Sequence, residues 1–348
     1  MEIAEPWELG ILLFLIIFII LLSFKNRDDS KIIYGKIIGA AVLVVFSFFT
    51  LAHIANRYAL EQGPIVRTSI GSGAWLLVLG GYIVINHSVK KINHPVLRVL
   101  LQYSFLLGIL ILALTGYLNE LSLTKEFLAK EKRFFQEFAN HLTIAFTSVG
   151  LALIIAVPFG VLAYRNRIAE KPIFYAVNTA QTIPSLALFG LLIAPLSFLS
   201  TRFPALRSMG IRGIGTAPAL IALTLYALLP ITINTYTSLK MINPAIIEAG
   251  RGMGFNRRQL LFTIEIPLAA PVLLNGIRLA AVQAIGNTAV AALIGAGGLG
   301  FFIFQGLGQA ASDLILLGAI PVVLLAVLCD RVLQILIWAC TPKGIYHE

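Results

Sequence analysis

This chain is short of charge. Asp, Glu, Lys and Arg make up 12% of its 348 residues, against roughly a quarter in soluble domains. Hydrophobic residues make up 58%, and the mean hydropathy is +0.90. That balance excludes a soluble catalytic domain and leaves a polytopic, all-α membrane protein. The 16 acidic residues are outnumbered by 26 basic ones, for a formal net charge of +10. In a soluble chain such an excess would raise the question of nucleic acid. Here Lys and Arg fall at the ends of apolar runs and form no basic stripe with interleaved aromatics, so the charge reads as anchoring at a membrane surface and no nucleic-acid partner is expected. Cysteine is nearly missing. Cys329 and Cys340 share one apolar segment, about 16 Å apart along a helix, too far to pair with each other. Neither a disulfide framework nor a cysteine metal site follows. The histidines (His53, His87, His94, His141, His347) show no metal-ligand spacing, so no metal is expected. No G-x-x-x-x-G-K-[ST] loop occurs, so the chain is not expected to bind ATP or any other cofactor itself. Gly295 to Gly300 does satisfy G-x-G-x-x-G, but an apolar helical run precedes it where a dinucleotide site needs a strand. It reads as a tight, flexible outer turn between helices.

What the chain does have is long apolar runs. Nine approach spanning length, near 8–24, 35–55, 69–87, 96–118, 141–163, 173–200, 215–238, 268–293 and 313–339. The third is diluted by Gly71, Gly73, Gly80 and Gly81. Glu2, Glu5 and Glu8 lead into the first run, and no A-x-A-like cleavage site follows it. It is therefore expected to be a retained helix with its N-terminus outside. On that topology fifteen Lys and Arg lie on inner loops, among them Lys25, Arg27, Arg165, Lys240, Arg251 and Lys343, and nine lie on outer ones. This bias puts the 239–267 loop and the C-terminus in the cytoplasm. The one long polar stretch is 119–140, where Leu128, Phe134, Phe135 and Phe138 alternate with Lys and Glu at helical spacing. It reads as an amphipathic helix lying at the outer interface. The expected organisation is a four-helix membrane extension over 1–118, this connector over 119–140, and a five-helix core over 141–344.

Within the core, the loop over 240–267 carries the most information. Asn243 suits an N-cap and Pro244 the first helical position. A short helix over 245–249 would present Ile246 and Ile247 to a partner or to the interface. Gly250 and Gly254 allow a sharp reversal. Arg257, Arg258 and Gln259 open a second helical stretch, and Pro267 introduces the next membrane helix. An ordinary amphipathic connector would share these features. The spacing, however, is Glu248-Ala249-Gly250, three residues, Gly254, nine residues, then Ile264-Glu265-Ile266-Pro267. It resembles the EAA loop of ABC importer permeases, departing from the pattern at Gly250 (for Ala) and Ile266 (for Leu). Further blocks are similar to the osmoprotectant branch of that family, the importers of glycine betaine, choline, carnitine and related quaternary amines. They are His141-Leu142 through Val157-Pro158-Phe159-Gly160, Gln181-Thr182-Ile183-Pro184-Ser185-Leu186-Ala187, Leu225-Tyr226-Ala227-Leu228-Leu229-Pro230, Asn234-Thr235-Tyr236-Thr237, Gly295 to Gly300, and the tail Thr341-Pro342-Lys343-Gly344. The resemblance covers about 141–344. No comparable match is recognised for 1–140, although some members of the branch carry a longer N-terminal membrane extension.

The resemblance implies a type I importer permease in the inner (plasma) membrane that performs no catalysis. A cytoplasmic ABC ATPase dimer would carry the ATP and dock on Glu248, Ala249, Gly250, Gly254, Phe255, Arg257, Arg258, Ile264 and Pro267. An extracytoplasmic substrate-binding protein would deliver the substrate and hold any aromatic cage for it. A second permease subunit, identical or homologous, would complete the path.

Polar residues and prolines at membrane depth mark that path or hold helices together: Pro158, Asn178, Thr179, Gln181, Pro184, Ser185, Pro230, Asn234, Gln283, Asn287 and Thr288. Gln181, Pro184, Ser185, Asn234, Gln283, Asn287 and Thr288 are the candidates for a translocation lining, and interhelical hydrogen bonding is the other reading. Gln283 and Asn287, four apart, share one helix face. Asp330 is either a site for a cationic substrate or, preferred here, the partner of Arg278 or Arg331. Gly35 and Gly39 form a G-x-x-x-G packing face. Two other classes compete. An ion-coupled secondary transporter would show matching halves, and no internal repeat is seen. An ABC importer for amino acids would share the 248–267 pattern but not the 181–187 and 234–237 blocks.

Overall fold

The computed structural model describes residues 5–24, 29–63 and 65–341. Lys25, Arg27, Lys343 and the rest of the 342–344 tail therefore lie outside the described residues. The chain divides into two compact units, Met1–Lys130 and Glu131–Glu348. The division falls inside the 119–140 stretch. Among the described residues the one β feature is an isolated bridge between Thr68 and Leu121. Eight helices there are long and apolar enough to cross a membrane, and a ninth span results if the pair Val96–Gln102 and Ser104–Leu114, bent by 51°, counts as one.

The first unit contains α1 (Pro6–Phe24), α2 (Ser30–Gln62), α3 (Ser72–Val89), α4 (Pro95–Gln102), α5 (Ser104–Leu114) and α6 (Ser122–Ala129). The 33-residue α2 is its spine, and α1, α3 and α5 all pack on it. Asp29 caps its start by accepting from Lys31 N. The G-x-x-x-G face meets α1: a Cβ on Gly35 would lie 3.2 Å from Leu22, and one on Gly39 3.4 Å from Phe18. Ile37, Ala40, Val44 and Ile85 are fully buried at the centre. Leu13, Phe14, Ile17 and Leu21 of α1 are exposed, which suits a helix whose outer face meets lipid.

The second unit opens with α7 (Glu131–Arg165), 35 residues long. At 1.5 Å per residue it runs about 52 Å, beyond the ~30 Å hydrocarbon layer. The 119–140 stretch is therefore not one interfacial helix. Helix α6 stops at Ala129, Lys130 leaves helical geometry (φ −122°, ψ 19°), and α7 continues unbroken from Glu131 into the membrane segment. The reason is that its first turns have partners within the second unit: Phe134 packs against Phe302, Arg133 lies over the Phe301 ring, and Glu137 and His141 are buried.

The helices that follow are α8 (Arg167–Thr182), α9 (Ser185–Arg202), α10 (Pro204–Ser208), α11 (Thr216–Lys240), α12 (Pro244–Gly252) and α13 (Arg257–Gln259). A π-helical segment (Leu260–Glu265) leads into α14 (Ile266–Val290), and a 3-10 turn (Ala291–Ile294) precedes α15 (Gly300–Gly308) and α16 (Ser312–Cys340). The apolar run 173–200 is thus two helices, because Ile183 and Pro184 adopt extended ψ angles of 126° and 140°. Helix α11 is the centre, packed against α7 and α14. Small residues allow it. A Cβ on Gly160 would come within 2.5 Å of Thr235, and one on Gly276 within 2.6 Å of Asn234 and 2.7 Å of Pro230 O. Without an aqueous hydrophobic drive, such close backbone approach is what membrane helices use to associate.

Candidate functional site

The loop over 241–267 is built from local signals. Asn243 Oδ1 accepts from Ala245 N at 3.0 Å and Pro244 opens α12. The chain reverses at Gly254 (φ +85°), where no side chain comes within 4 Å. Asn256 and Gln259 then form a reciprocal capping box: Asn256 Oδ1 accepts from the N–H groups of Arg258 and Gln259, and Asn256 N donates to Gln259 Oε1. Pro267 has no N–H to give the carbonyl one turn back and its ring crowds that turn. The wider π turn immediately before it accommodates this.

Glu248, Ala249, Gly254, Arg257, Arg258 and Pro267 are exposed, Phe255 and Ile264 are half-buried, and Gly250 is buried. A Cβ on Gly250 would sit 2.6 Å from Leu260 and 2.8 Å from Ile264, so glycine here lets α12 lie against the π segment. That packing corrects one expectation: Ile246 is exposed, but Ile247 is buried. Met241, Met253 and Phe262 are exposed beside Glu248 in the sequence of the loop and add apolar surface that the motif does not mark.

Both roots of the loop are tied to the junction of α7 and α8, one to the first turn of α8 and the other to the last residue of α7. At the leading root, Tyr236 donates its hydroxyl hydrogen to Glu170 Oε1 at 2.7 Å and accepts from Lys240 Nζ at 3.0 Å. At the trailing root, the fully buried carboxylate of Glu265 pairs with Arg165 at 2.5 Å. The sequence reading passed over Glu265, because it occupies an unspecified position of the motif. The only cue was an acidic residue one step before Ile266-Pro267.

A cleft of about 480 Å³ lies higher in the bundle, lined by Gln181, Pro230, Asn234, Gln283, Arg278 and Asp330 together with apolar residues of α11 and α14. Three of the seven path candidates, Gln181, Asn234 and Gln283, meet here. Gln181 also donates to Tyr226 O at 2.7 Å, and the Tyr226 hydroxyl donates to Ile183 O, so one tyrosine bridges the break between α8 and α9. Lining and interhelical bonding are thus both served by Gln181. Pro184 lies in the break, Ser185 is the first residue of α9 and Asn287 is half-buried; none of the three lines the cleft. Thr288 is fully buried and donates to Ala284 O. Of the two readings of Asp330, the structure forms the Arg278 pair, at 2.7 Å.

At the opposite end of α7 the glycine-rich turn is clamped, not flexible as the sequence suggested. Glu137 accepts from Gly298 N at 2.6 Å, Asn140 donates to Ala296 O at 2.8 Å, and His141 Nδ1 accepts from Leu299 N at 3.3 Å. The ring proton of His141 then sits on Nε2 and donates to Ile285 O at 3.0 Å. Glu137, Asn140 and His141 stand at i, i+3 and i+4 on one helix face. That spacing was visible in the sequence, but Glu137 and Asn140 were read as part of the amphipathic 119–140 stretch and His141 as the start of the core.

Comparison with known proteins follows the division of the chain. Residues 1–124 match the N-terminal domain of the ABC transporter permease YehY. The chain is 43% identical over 206 residues to the osmoprotectant import permease protein OsmW of Salmonella typhimurium, covering 59% of this chain and 91% of that protein. It is 42% identical over 206 residues to the carnitine transport permease protein OpuCB of Listeria monocytogenes, covering 59% and 87%. A chain of the inward-facing MetNI methionine ABC transporter superposes with a TM-score of 0.52 at 25% identity, covering 60% of this chain and 96% of that one. Residues 148–337, more than half of the sequence, match the binding-protein-dependent transport system inner membrane component, and this chain belongs to that family.

Proposed function

We propose that this chain is the membrane permease subunit of an ATP-driven importer for osmoprotectants of the glycine betaine, choline or carnitine class. The observation that carries the reading is the 241–267 loop, with Glu248 exposed on a short helix and both ends tied into the bundle, in a chain about 40% identical to osmoprotectant and carnitine permeases. The chain binds no nucleotide. ATP is hydrolysed by a separate cytoplasmic ABC ATPase dimer that docks on Glu248, Ala249, Gly254, Phe255, Arg257 and Arg258, with Gly250, Ile264 and Pro267 shaping the loop. A second permease subunit serves the second ATPase, and an extracytoplasmic binding protein delivers the substrate. The N-terminus lies outside and the 241–267 loop inside. Closure of the ATPase dimer moves the loop, the bundle opens toward the binding protein, and the solute passes Gln181, Asn234 and Gln283. These amides offer neutral donors and acceptors to a small polar solute, beside the Arg278–Asp330 pair that lines the same cleft.

Purification of the tagged chain from its native membrane tests this. The expected result is an ABC ATPase held in the complex and ATP-driven uptake of one of these solutes. Glu248→Lys is expected to insert normally and lose uptake. A chain that purifies alone and takes up solute on an ion gradient would sink the reading.

A further inference from the structure

We propose that the junction of α7 and α8, from Arg165 at the end of α7 to Glu170 in the first turn of α8, is the yoke through which motion of the docking loop enters the bundle, with Glu265, Arg165, Glu170 and Tyr236 as its positioning residues. The proposal rests on the reading of 241–267 as the ATPase-docking loop and names the part that receives its movement.

Two unrelated chemical ties converge on this one junction. The leading root of the loop is held by the chain Glu170–Tyr236–Lys240, with Phe174 edge-on to the Tyr236 ring at 5.1 Å. The trailing root is held by Arg165–Glu265. The second tie is hard to break. Glu265 is 0% exposed, and among the described residues its Oε1 has no hydrogen-bond partner. Among the described residues Arg165 is the cation paired with this carboxylate, so separating the two would strand an ion in a medium that solvates it poorly. The π segment and the end of α7 must therefore move together. Arg165 is the last residue of α7, and the helix runs from it without interruption to Glu131. From Arg165 back to His141 is 24 residues, about 36 Å of rise. At that far end Glu137, Asn140 and His141 grip the glycine turn over 296–299. A displacement of the loop roots thus reaches the opposite end of the bundle through one helix with polar clamps at both ends; its one internal proline, Pro158, lies about two turns from Arg165.

The test uses the purified complex with its ATPase. Cys329 and Cys340 are replaced by Ser, and Gln136→Cys, at an exposed position on the far end of α7, is labelled with a maleimide. Glu265→Gln keeps the shape of the side chain and removes its charge, and Tyr236→Phe keeps the ring and removes its hydroxyl. With native roots, ATP and vanadate are expected to change the labelling rate. In the double variant that change is expected to be lost while the ATPase stays bound and hydrolyses ATP at an unaltered rate. A double variant that still shows the full ATP-dependent change would overturn the proposal. So would native roots that show no change. A double variant that releases its ATPase would also overturn it, since the four residues would then serve docking rather than transmission. Failure of the docking reading itself is distinct: no ATPase would purify with the chain carrying native roots.

Discussion

Two glycine-bearing loops of the second unit do the same thing to the backbone and live in opposite surroundings. In the 241–267 loop the chain turns at Gly254, φ +85°, with nothing within 4 Å of where a Cβ would be. In the 295–300 turn it reverses through Gly295, Gly297 and Gly298, at φ +76°, +77° and +82°. There a Cβ on Gly297 would meet Asn140 at 2.6 Å and Glu137 at 2.7 Å, and one on Gly300 would meet the Ala289 carbonyl at 1.8 Å. The first loop is held at its roots and leaves Glu248, Met253, Arg257 and Arg258 exposed between them. The second is gripped along its length by the polar face of α7. The loop proposed to meet another chain keeps its middle open and borrows rigidity from its ends. A loop that only closes a bundle is filled from within. Gly254 serves conformation alone, Gly300 serves space alone, and Gly297 and Gly298 serve both, so substitutions separate the two roles.

The largest effect is expected at Gly300→Ala. The added Cβ meets backbone, not a flexible side chain, so relief needs a shift of α15 against α14. A loss of about 3 kcal/mol or more is expected, seen as failure to accumulate in membranes or a sharply lower thermal midpoint in detergent. An alanine variant with native stability would show that the turn is looser than its geometry. Next comes Glu137→Ala, which strands the Gly298 N–H and removes the partner of Arg133. An orphaned buried donor costs about 1–3 kcal/mol. Glu137→Gln, which can still accept from Gly298, should recover part of that loss. Equal losses in both variants would mean that the charge of Glu137, not its hydrogen bond to the turn, does the holding.

This contrast was only half legible beforehand. Hydropathy located the spanning helices because lipid demands long apolar runs. It missed the break at 183–184, since a helix interrupted inside a bundle stays apolar on average while the Tyr226 hydroxyl satisfies the freed Ile183 O. Spacing drew attention to the 241–267 loop, and capping chemistry located its two short helices. Burial of Ile247 was not legible, because it depends on Gly250 admitting Leu260 and Ile264, a contact between segments ten or more residues apart. Glu265 and Arg165 were invisible for the same reason: each is one charged residue near a helix end until the fold pairs them. In the first unit the Gly35 and Gly39 face was legible as packing, and the partner helix was not.

The smallest effects give the sharpest test of the open loop. Gly252 and Gly254 are two residues apart, and neither would place a Cβ within 4 Å of another atom. They differ in backbone alone: Gly252 ends α12, whereas Gly254 holds φ +85°. Alanine at 252 should be neutral or stabilise the short helix by about 0.5–1 kcal/mol, because glycine loses the most chain freedom on becoming helical. Alanine at 254 should cost about 1–2 kcal/mol, the penalty of a left-handed conformation for a residue with a Cβ. Because the strain is local and the loop roots are untouched, that cost should appear as faster amide hydrogen exchange over 244–259 and not as a lower global midpoint. If alanine at 254 instead lowered the midpoint as far as Gly300→Ala, the loop would be packed along its whole length, and the distinction between a loop held at its roots and a turn filled from within would fail.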